Sequence, residues 1–148
     1  MTLGTLYQTI LSYIETQLKT ESIFANDADG TRVYVWSQRI LPVPGRYHLE
    51  VKAGPMENIG GRTTHSVKME FQVIVDLLYF ANAEGYEAAF LKAMAGAEKV
   101  YDLFNLTTLG GNVFKCLVSF APGDGDFSKT MLAIPIRIII RCEKDVRT

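Results

Sequence analysis

Apolar and polar side chains alternate along THSVKMEFQVIVDLLY, the segment from Thr64 to Tyr79. One phase is apolar and consists of Val67, Met69, Phe71, Val73 and Val75. The other phase is mostly polar and includes Lys68, Glu70, Gln72 and Asp76. A period of two predicts a half-buried β-strand. The alternation lasts roughly 13 residues, against a mode of about 5–6 for strands in globular proteins.

This predicted strand is long for the size of the chain. At about 3.3 Å per residue it spans on the order of 40 Å, whereas a domain of this length has a radius of gyration of about 15 Å. The strand therefore crosses the whole body and projects beyond it. Near its end the second face also becomes apolar, with Ile74, Leu78 and Phe80. A strand with these properties suggests a subunit that shares its sheet or its surface with a neighbour.

A second alternating segment, Arg46–Ala53, precedes the long strand and predicts its hairpin partner. The connection Gly54–Thr63, GPMENIGGRT, is polar and rich in glycine. We interpret it as the exposed loop at the tip of a long antiparallel hairpin. This loop supplies the candidate partner-contact residues Met56, Glu57, Asn58, Ile59 and Arg62.

Helical spacing of apolar residues predicts a first helix over Leu3–Leu18, with Thr2 as its N-cap. A second helix is predicted from Glu84 to about Phe104, with Asn82 as its N-cap. Its predicted inner stripe is Tyr86, Phe90, Ala93, Met94, Ala97, Tyr101 and Phe104. Its small residues would allow a close approach to a sheet: Ala89, Ala93, Gly96 and Ala97.

Three further strands complete the prediction. A short strand, Arg32–Ile40, ends before Pro42 and Pro44, which are typical of an edge or a linker. The next strand is predicted over Val113–Phe120, and its apolar phase is Phe114, Cys116, Val118 and Phe120. The last strand is predicted over Met131–Cys142, and its apolar phase is Ile134, Ile136, Ile138 and Ile140. Between them, Ala121–Thr130 predicts a flexible loop with Asp124 and Asp126 as turn formers and as candidate contacts.

The predicted order is α-β-β-β-α-β-β. It indicates a single α+β domain over residues 1–148, in which two helices pack on one face of an antiparallel sheet and a long β-hairpin protrudes. The composition agrees with a globular domain, since 48% of the residues are apolar and 21% are charged. Cys116 and Cys142 fall on apolar phases, so we expect reduced core cysteines, with a disulfide as the alternative.

Charge and hydropathy narrow the classes of function. The formal net charge is −1 and no basic block occurs, so tight charge-driven binding of nucleic acid is not indicated. No apolar run approaches the ~20 residues of a membrane span. The N-terminal segment lacks the basic region and cleavage site of a signal peptide, which predicts synthesis in the cytosol.

The candidate chemistry is sparse. His48, Glu50 and His65 could approach one another across the hairpin as a metal site. We favour instead a solvated strand face with a charge pair between Glu50 and Lys68. No nucleophile–base pair and no phosphate-binding motif is evident, so we expect neither an enzyme nor a cofactor.

Five further residues are candidates for a subunit or partner interface. Trp36, the only tryptophan, lies near Arg39 and is either a core residue or an interface anchor. Arg137 and Arg141 flank Ile139 on one phase of the last strand. Either these arginines cap carboxylates within the fold, or they meet a neighbouring subunit.

The whole order of elements resembles the tail terminator, or tail completion, proteins of long-tailed bacteriophages. The resemblance rests on the amphipathic first helix, the short strand ending in ILPVPG, the long hairpin, the second helix, and the closing SKTMLAIPIRIIIRCEKD. It is architectural, covers nearly the full length and carries no catalytic motif.

The resemblance implies a virion protein that is assembled in the host cytoplasm. Six copies would form a ring at the head-proximal end of the tail tube, stop tube polymerisation and bind the connector or neck proteins, while DNA passes through the lumen without tight binding. Two alternatives remain: another head–tail connector or tube-like subunit, and a small intracellular ligand-binding domain, which should have a concave site.

Overall fold

The long alternating segment forms a central strand of the sheet. The computed structural model describes residues 3–24, 33–35, 45–60, 66–123, 126–128 and 131–147. Its helices are α1 (Leu3–Thr20) and α2 (Tyr86–Phe104). Its strands are β1 (Val33–Val35), β2 (Tyr47–Gly60), β3 (Ser66–Phe80), β4 (Lys115–Pro122), β5 (Asp126–Ser128) and β6 (Met131–Arg147).

The strands form one sheet in the order β1-β2-β3-β6-β4, and β5 pairs with the start of β6. The pairs β2–β3, β3–β6 and β6–β4 are antiparallel, whereas the short β1 is parallel to β2. Tyr7 of α1 packs on Phe71, and Gly96 of α2 lies against Leu77. Phe71 and Leu77 belong to one phase of β3, so both helices cover the same face. The predicted α+β class is confirmed, with β5 as an additional strand.

The core lies between this face and the helices. The apolar phases of β3 and β6 are almost completely buried, including Val73, Val75, Ile136, Ile138 and Ile140. From α1 the core receives Leu6, Ile10, Leu11, Ile14 and Leu18. The described part of α1 agrees with the predicted helix and extends it to Thr20, while Thr2 lies outside the described residues. Of the predicted strand Arg32–Ile40, only Val33–Val35 is described as strand.

The predicted loop Gly54–Thr63 is wrong for most of its length, because β2 continues to Gly60. The register shifts between Ala53 and Met56, which is a β-bulge. The bulge absorbs Gly54 and Pro55, the first residues of the polar, glycine-rich run, and the ladder resumes beyond them with a second irregularity between Asn58 and Gly60. The rest of the predicted loop, residues 61–63, lies outside the described residues.

The projecting end of the sheet has three strands. β6 continues past the predicted end at Cys142, and its residues 143–147 pair with residues 66–70 of β3. The edge strand β4 begins opposite Glu143, so residues 144–147 of β6 and their partners in β3 extend beyond it. We call residues 56–60, 66–70 and 143–147 the arm. A third strand gives the hairpin a partner along its whole length, and isolated two-stranded hairpins are only marginally stable.

Helix α2 differs from the prediction at its start and in its buried face. It begins at Tyr86 with Gly85 as the N-cap, so Asn82 is not the cap. Ala83, which would be the first helical residue after an Asn82 cap, has a positive φ of 63°, so a right-handed helix cannot begin there. The buried residues are mostly small: Ala89, Ala93, Gly96, Ala97, Val100 and Phe104.

The two tyrosines of the predicted inner stripe are largely exposed, Tyr86 to 47% and Tyr101 to 39%. The helix lies too close to the sheet to fit a large ring beneath it, because a Cβ at Gly96 would stand 2.6 Å from the ring of Tyr47. The predicted close approach through small residues is therefore confirmed, and the large residues are displaced to one flank.

The prediction for β4 also needs two corrections. Phe114 was expected on the buried face, but β4 begins only at Lys115, and the Phe114 side chain is 57% exposed. Its backbone N–H donates to the carbonyl of Glu143 instead. The predicted loop Ala121–Thr130 is partly strand, since β4 extends to Pro122 and Asp126–Ser128 forms β5.

Ile138 and Ile139 provide a test of which face is buried. Ile138 is fully buried, whereas Ile139 is half-buried on the opposite face. Ile138→Ala should lower the free energy of unfolding by about 2–5 kcal/mol, because it leaves a cavity. Ile139→Ala, the matched control, should lower it by about 1 kcal/mol or less. Urea unfolding measures both, and equal losses would contradict the orientation of β6.

Gly96 tests the closeness of α2 to the sheet. Alanine favours a helix over glycine, but here its Cβ would collide with Tyr47, whose hydroxyl donates to the carbonyl of Lys92. Gly96→Ala should therefore lower the free energy of unfolding by about 1–2 kcal/mol in spite of the gain in propensity. The exposed neighbour change Ala95→Gly measures propensity alone. A more stable Gly96→Ala protein would show that α2 does not contact Tyr47.

Candidate assembly surface

The face of the sheet opposite the helices carries most of the described candidate residues, and we call it the outer face. Its side chains form rows across β2, β3, β6 and β4. One row is Glu50, Asp76, Arg137 and Ala121, and the next is Lys52, Ile74, Ile139 and Ser119. The third row contains Gln72, Arg141 and Leu117. The structure therefore brings Ile74, Arg137, Ile139 and Arg141 together on this face.

An ion-pair cluster is centred on Asp76. Arg137 binds this carboxylate through two hydrogen bonds, Nε to Oδ1 at 2.9 Å and Nη2 to Oδ2 at 3.2 Å. Lys52 approaches Oδ2 from the other side at 2.7 Å, and Glu50 lies 4.0 Å from the same ammonium group. Of the two alternatives for Arg137, the contact within the fold is thus present. It fixes the guanidinium group in one orientation.

The cluster shifts the titration of its central carboxylate. Burial alone would raise the pKa of Asp76, but the hydrogen bonds from Arg137 and Lys52 outweigh burial and hold this pKa below its ordinary value. A groove of about 340 Å³ lies beside the cluster, and its lining includes Glu50, Lys52, Asp76 and Arg137. The charges of the groove are therefore largely paired with one another.

Arg141 has a different environment from Arg137. It is exposed, and no carboxylate of a described residue lies within ion-pair distance of it. Its neighbours in the register are Gln72 on β3 and Leu117 on β4, and Leu117 is 47% exposed. Next to this row, Ile74 and Ile139 face each other directly. Arg141, Leu117 and the isoleucine pair form a mixed apolar and cationic strip without an internal counter-charge.

The outer side of the arm is acidic. Glu57, Glu70 and Glu143 lie directly opposite one another across β2, β3 and β6. Lys115 on β4 continues the row, and Lys68 binds Glu143 at 3.5 Å. Like charges placed directly opposite in a sheet are destabilising. The opposed Glu57 and Glu70 are therefore expected to cost some stability, whereas Lys68 offsets the charge of Glu143.

A second apolar surface lies beside α2, on the side of β4. It consists of the large residues displaced from beneath the helix, Tyr86, Phe90, Met94 and Tyr101, together with Phe120 of β4. Tyr86 stacks on Phe90 with ring centroids 6.2 Å apart, and Tyr101 meets Phe120 edge-on at 6.3 Å. We call this surface the aromatic flank. The sequence analysis placed all four of these α2 residues on the inner stripe and Phe120 on an apolar strand phase, so it did not predict this surface.

The other sequence candidates are distributed as follows. Trp36, Arg39, Arg62 and Asp124 lie outside the described residues. Asn58, Ile59 and Asp126 belong to described strands, but only their backbones are described. Glu57 is exposed on the arm. Met56 faces the core and packs against it, because it pairs with Phe71 after the bulge.

The proposed solvated face around His48 is also wrong. His48 is only 3% exposed, and its ring meets Phe80 edge-on with centroids 4.7 Å apart. The pair between Glu50 and Lys68 does not form, since Glu50 lies opposite Asp76 and Lys68 lies opposite Gly60. Within the described ranges, no three potential ligands among His, Cys, Asp and Glu come together as a metal site.

The expectation of two core cysteines is confirmed, since both thiols are buried and free. The helices α1 and α2 are not long and apolar enough to cross a membrane.

Comparison with known proteins identifies the fold. No family model matches the sequence, and no curated protein matches it. One similar solved structure is a chain from the virion of a native gene transfer agent particle. It is 18% identical, with coverage of 90% of this chain and 93% of that chain and a TM-score of 0.53. A second solved protein, whose name states no function, is 12% identical over 96% of both chains, with a TM-score of 0.51. At these identities the likeness establishes a shared fold.

The Asp76 cluster makes a prediction about pH. Asp76→Asn should lower the free energy of unfolding at pH 7 by about 0.5–1 kcal/mol, since the pairs are partly exposed. Because the folded pKa of Asp76 is lowered, its contribution is complete above the ordinary value of 3.8 and is lost as the pH falls through the folded pKa.

The difference in free energy of unfolding between wild type and Asp76→Asn should therefore be constant near neutral pH and shrink below about pH 4. Urea unfolding at a series of pH values measures it. Asp102→Asn removes an exposed carboxylate from α2 and, as the control, should change stability by less than about 0.5 kcal/mol. A difference for Asp76→Asn that persists undiminished at pH 2–3 would contradict the assignment.

Proposed function

We propose that this protein is a structural subunit of a phage-type particle and that it acts as a tail terminator. The observation that carries the proposal is the likeness to a chain of a gene transfer agent virion, which extends over 90% of this chain and 93% of that one. Coverage of this extent means that the two chains share a whole domain rather than a common motif.

In the proposed assembly, six copies form a ring at the head-proximal end of the tail tube. A heterologous contact, in which one surface meets a different surface of the next copy, closes into a ring when its rotation allows. The chain offers two unlike surfaces for this purpose. The mixed strip around Arg141 and the isoleucine pair lies on the outer face, whereas the aromatic flank lies on the helix side near β4.

The arm is the proposed contact with the tail tube. It runs past the edge strand, and its third strand makes it stiffer than a hairpin alone. Its outer side presents the row Glu57, Glu70 and Glu143. A terminator must match the end of the tube on one side and fail to match another tube subunit on the other. An acidic row in which Glu57 opposes Glu70, at an expected cost in stability, fits a surface selected for recognition.

The proposal includes no catalytic step and no cofactor. Connector or neck proteins would bind the side of the ring away from the tube, and DNA would pass through the lumen. A chain with a net charge of −1 suits such passage, because DNA must slide rather than bind. The groove beside Asp76 could be taken as a ligand site, but its ionic groups already pair with one another.

Deletion of the gene is the first test. Without a terminator, tubes should grow past their normal length and fail to join heads, which electron microscopy would show. Tails of normal length joined to heads would contradict the proposal. Particles without any tube would favour the rival tube-like subunit. Heads and tails of normal length that remain separate would favour a connector.

A charge reversal on the arm separates recognition from folding. Glu57→Lys replaces one of two opposed carboxylates, so it should leave the melting temperature unchanged or raise it. We expect the variant nevertheless to fail to restore tail length in the deletion strain. Gln8→Lys adds a positive charge to an exposed site on α1 and, as the control, should restore it. Full restoration by Glu57→Lys would place the tube contact away from the arm.

A further inference from the structure

Two thiols meet in the core between the edge strand and its neighbour. Cys116 of β4 and Cys142 of β6 are directly opposite in the register, and both residues are fully buried. Their Sγ atoms are 3.1 Å apart. They are 26 positions apart in the sequence, so a bond between them would join two separate strands.

The backbone hydrogen bonds of Cys116 show whether the two cysteines form a hydrogen-bonded or a non-hydrogen-bonded pair of the antiparallel ladder. Its N–H donates to the carbonyl of Thr107, and its own carbonyl accepts from the N–H of Leu106. Both backbone groups therefore point away from β6, and the two cysteines form a non-hydrogen-bonded pair. In such pairs the Cα atoms approach to about 4.5 Å, within the range of about 4.4–6.8 Å that a disulfide requires.

We propose that Cys116 and Cys142 form a dithiol–disulfide redox site. The oxidant is a low-molecular-weight disulfide such as oxidised glutathione. One cysteine thiolate attacks a sulfur of the oxidant, forms a mixed disulfide and releases one thiol. The second cysteine then attacks the protein sulfur of the mixed disulfide and releases the second thiol. The protein loses two protons and two electrons, and the oxidant becomes two thiols.

The burial of the site makes this reaction slow. The hydrogen bond with Cys116 and desolvation raise the pKa of Cys142, so little thiolate is present in the closed fold. β4 is an edge strand, and among the described strands it pairs only with β6. On its other side β4 is held by hydrogen bonds to residues 105–107, so access to the sulfurs requires β4 to detach from β6 or from this segment. Once formed, the bond would fasten the edge strand to β6 and oppose further opening.

The site goes beyond the proposed function and gives it a chemical consequence. A particle assembles in a reducing cell and is released into an oxidising medium. If the protein is a virion subunit, the dithiol would be the form that assembles and the disulfide the form that persists outside the cell. Only this last step rests on the proposed function.

The test uses the isolated full chain, equilibrated or refolded in a glutathione redox buffer. The intact mass should fall by two hydrogens without a glutathione adduct, and digestion should yield one peptide containing both cysteines. The melting temperature of the oxidised protein should rise by about 5–15 °C. Dithiothreitol should reverse the change.

Cys116→Ala is the matched control, in which both the loss of mass and the rise in melting temperature should disappear. Three results would overturn the proposal: two thiols that remain free after refolding in the oxidising buffer, an oxidised protein that melts below the reduced one, or a rise that persists in Cys116→Ala. These measurements need neither a ring nor a tail, so their failure is distinct from failure of the terminator proposal.

Discussion

The ladder between β3 and β6 determines most of the structure. It joins fifteen residue pairs, from Ser66 with Arg147 to Phe80 with Ala133. Side chains alternate between the two faces, so one register fixes the environment of every residue in both strands. In this register Val75 meets Ile138 in the core, and Asp76 meets Arg137 outside. A slip of one strand by one residue would turn its whole apolar set away from the core and bury charged groups in its place.

The largely apolar inner face of the sheet then constrains the helices that cover it. Small residues of α2 allow its backbone to approach the sheet until Gly96 touches Tyr47 and Leu77. The closer the helix lies, the less room remains for rings beneath it. Tyr86 and Tyr101 are therefore displaced to the side, where they form the aromatic flank with Phe120. The tight core and the partly exposed flank are two results of the same close packing.

Sequence patterns predicted the parts of the fold that depend on periodicity. The helices, the long strand and the isoleucine face of β6 all followed from it. The hairpin tip did not, because Gly54 and Pro55 resemble a turn locally but are accommodated as a bulge by pairing with β3. The predicted inner stripe of α2 is rotated relative to the face that is actually buried. Hydropathy favours large residues at buried positions, whereas the short distance between α2 and the sheet favours small ones. At the candidate surface, the pair of Arg137 with Asp76 depends on a register that no local pattern reveals.

The outer face also bears on how such a subunit could assemble. Permanent interfaces are typically large and apolar, resembling a core cut in half. Here charged rows alternate with the isoleucine pair, and the Asp76 cluster satisfies its charges within one chain. Such a surface costs little to expose to water, which on the proposed function would let the subunit remain separate at low concentration. On the proposed function this property is useful, because a terminator must not form rings or bind tube subunits before a tube is complete. The acidic arm and the strip at Arg141 would then contribute mainly when several copies meet the tube end together, where many weak contacts add up.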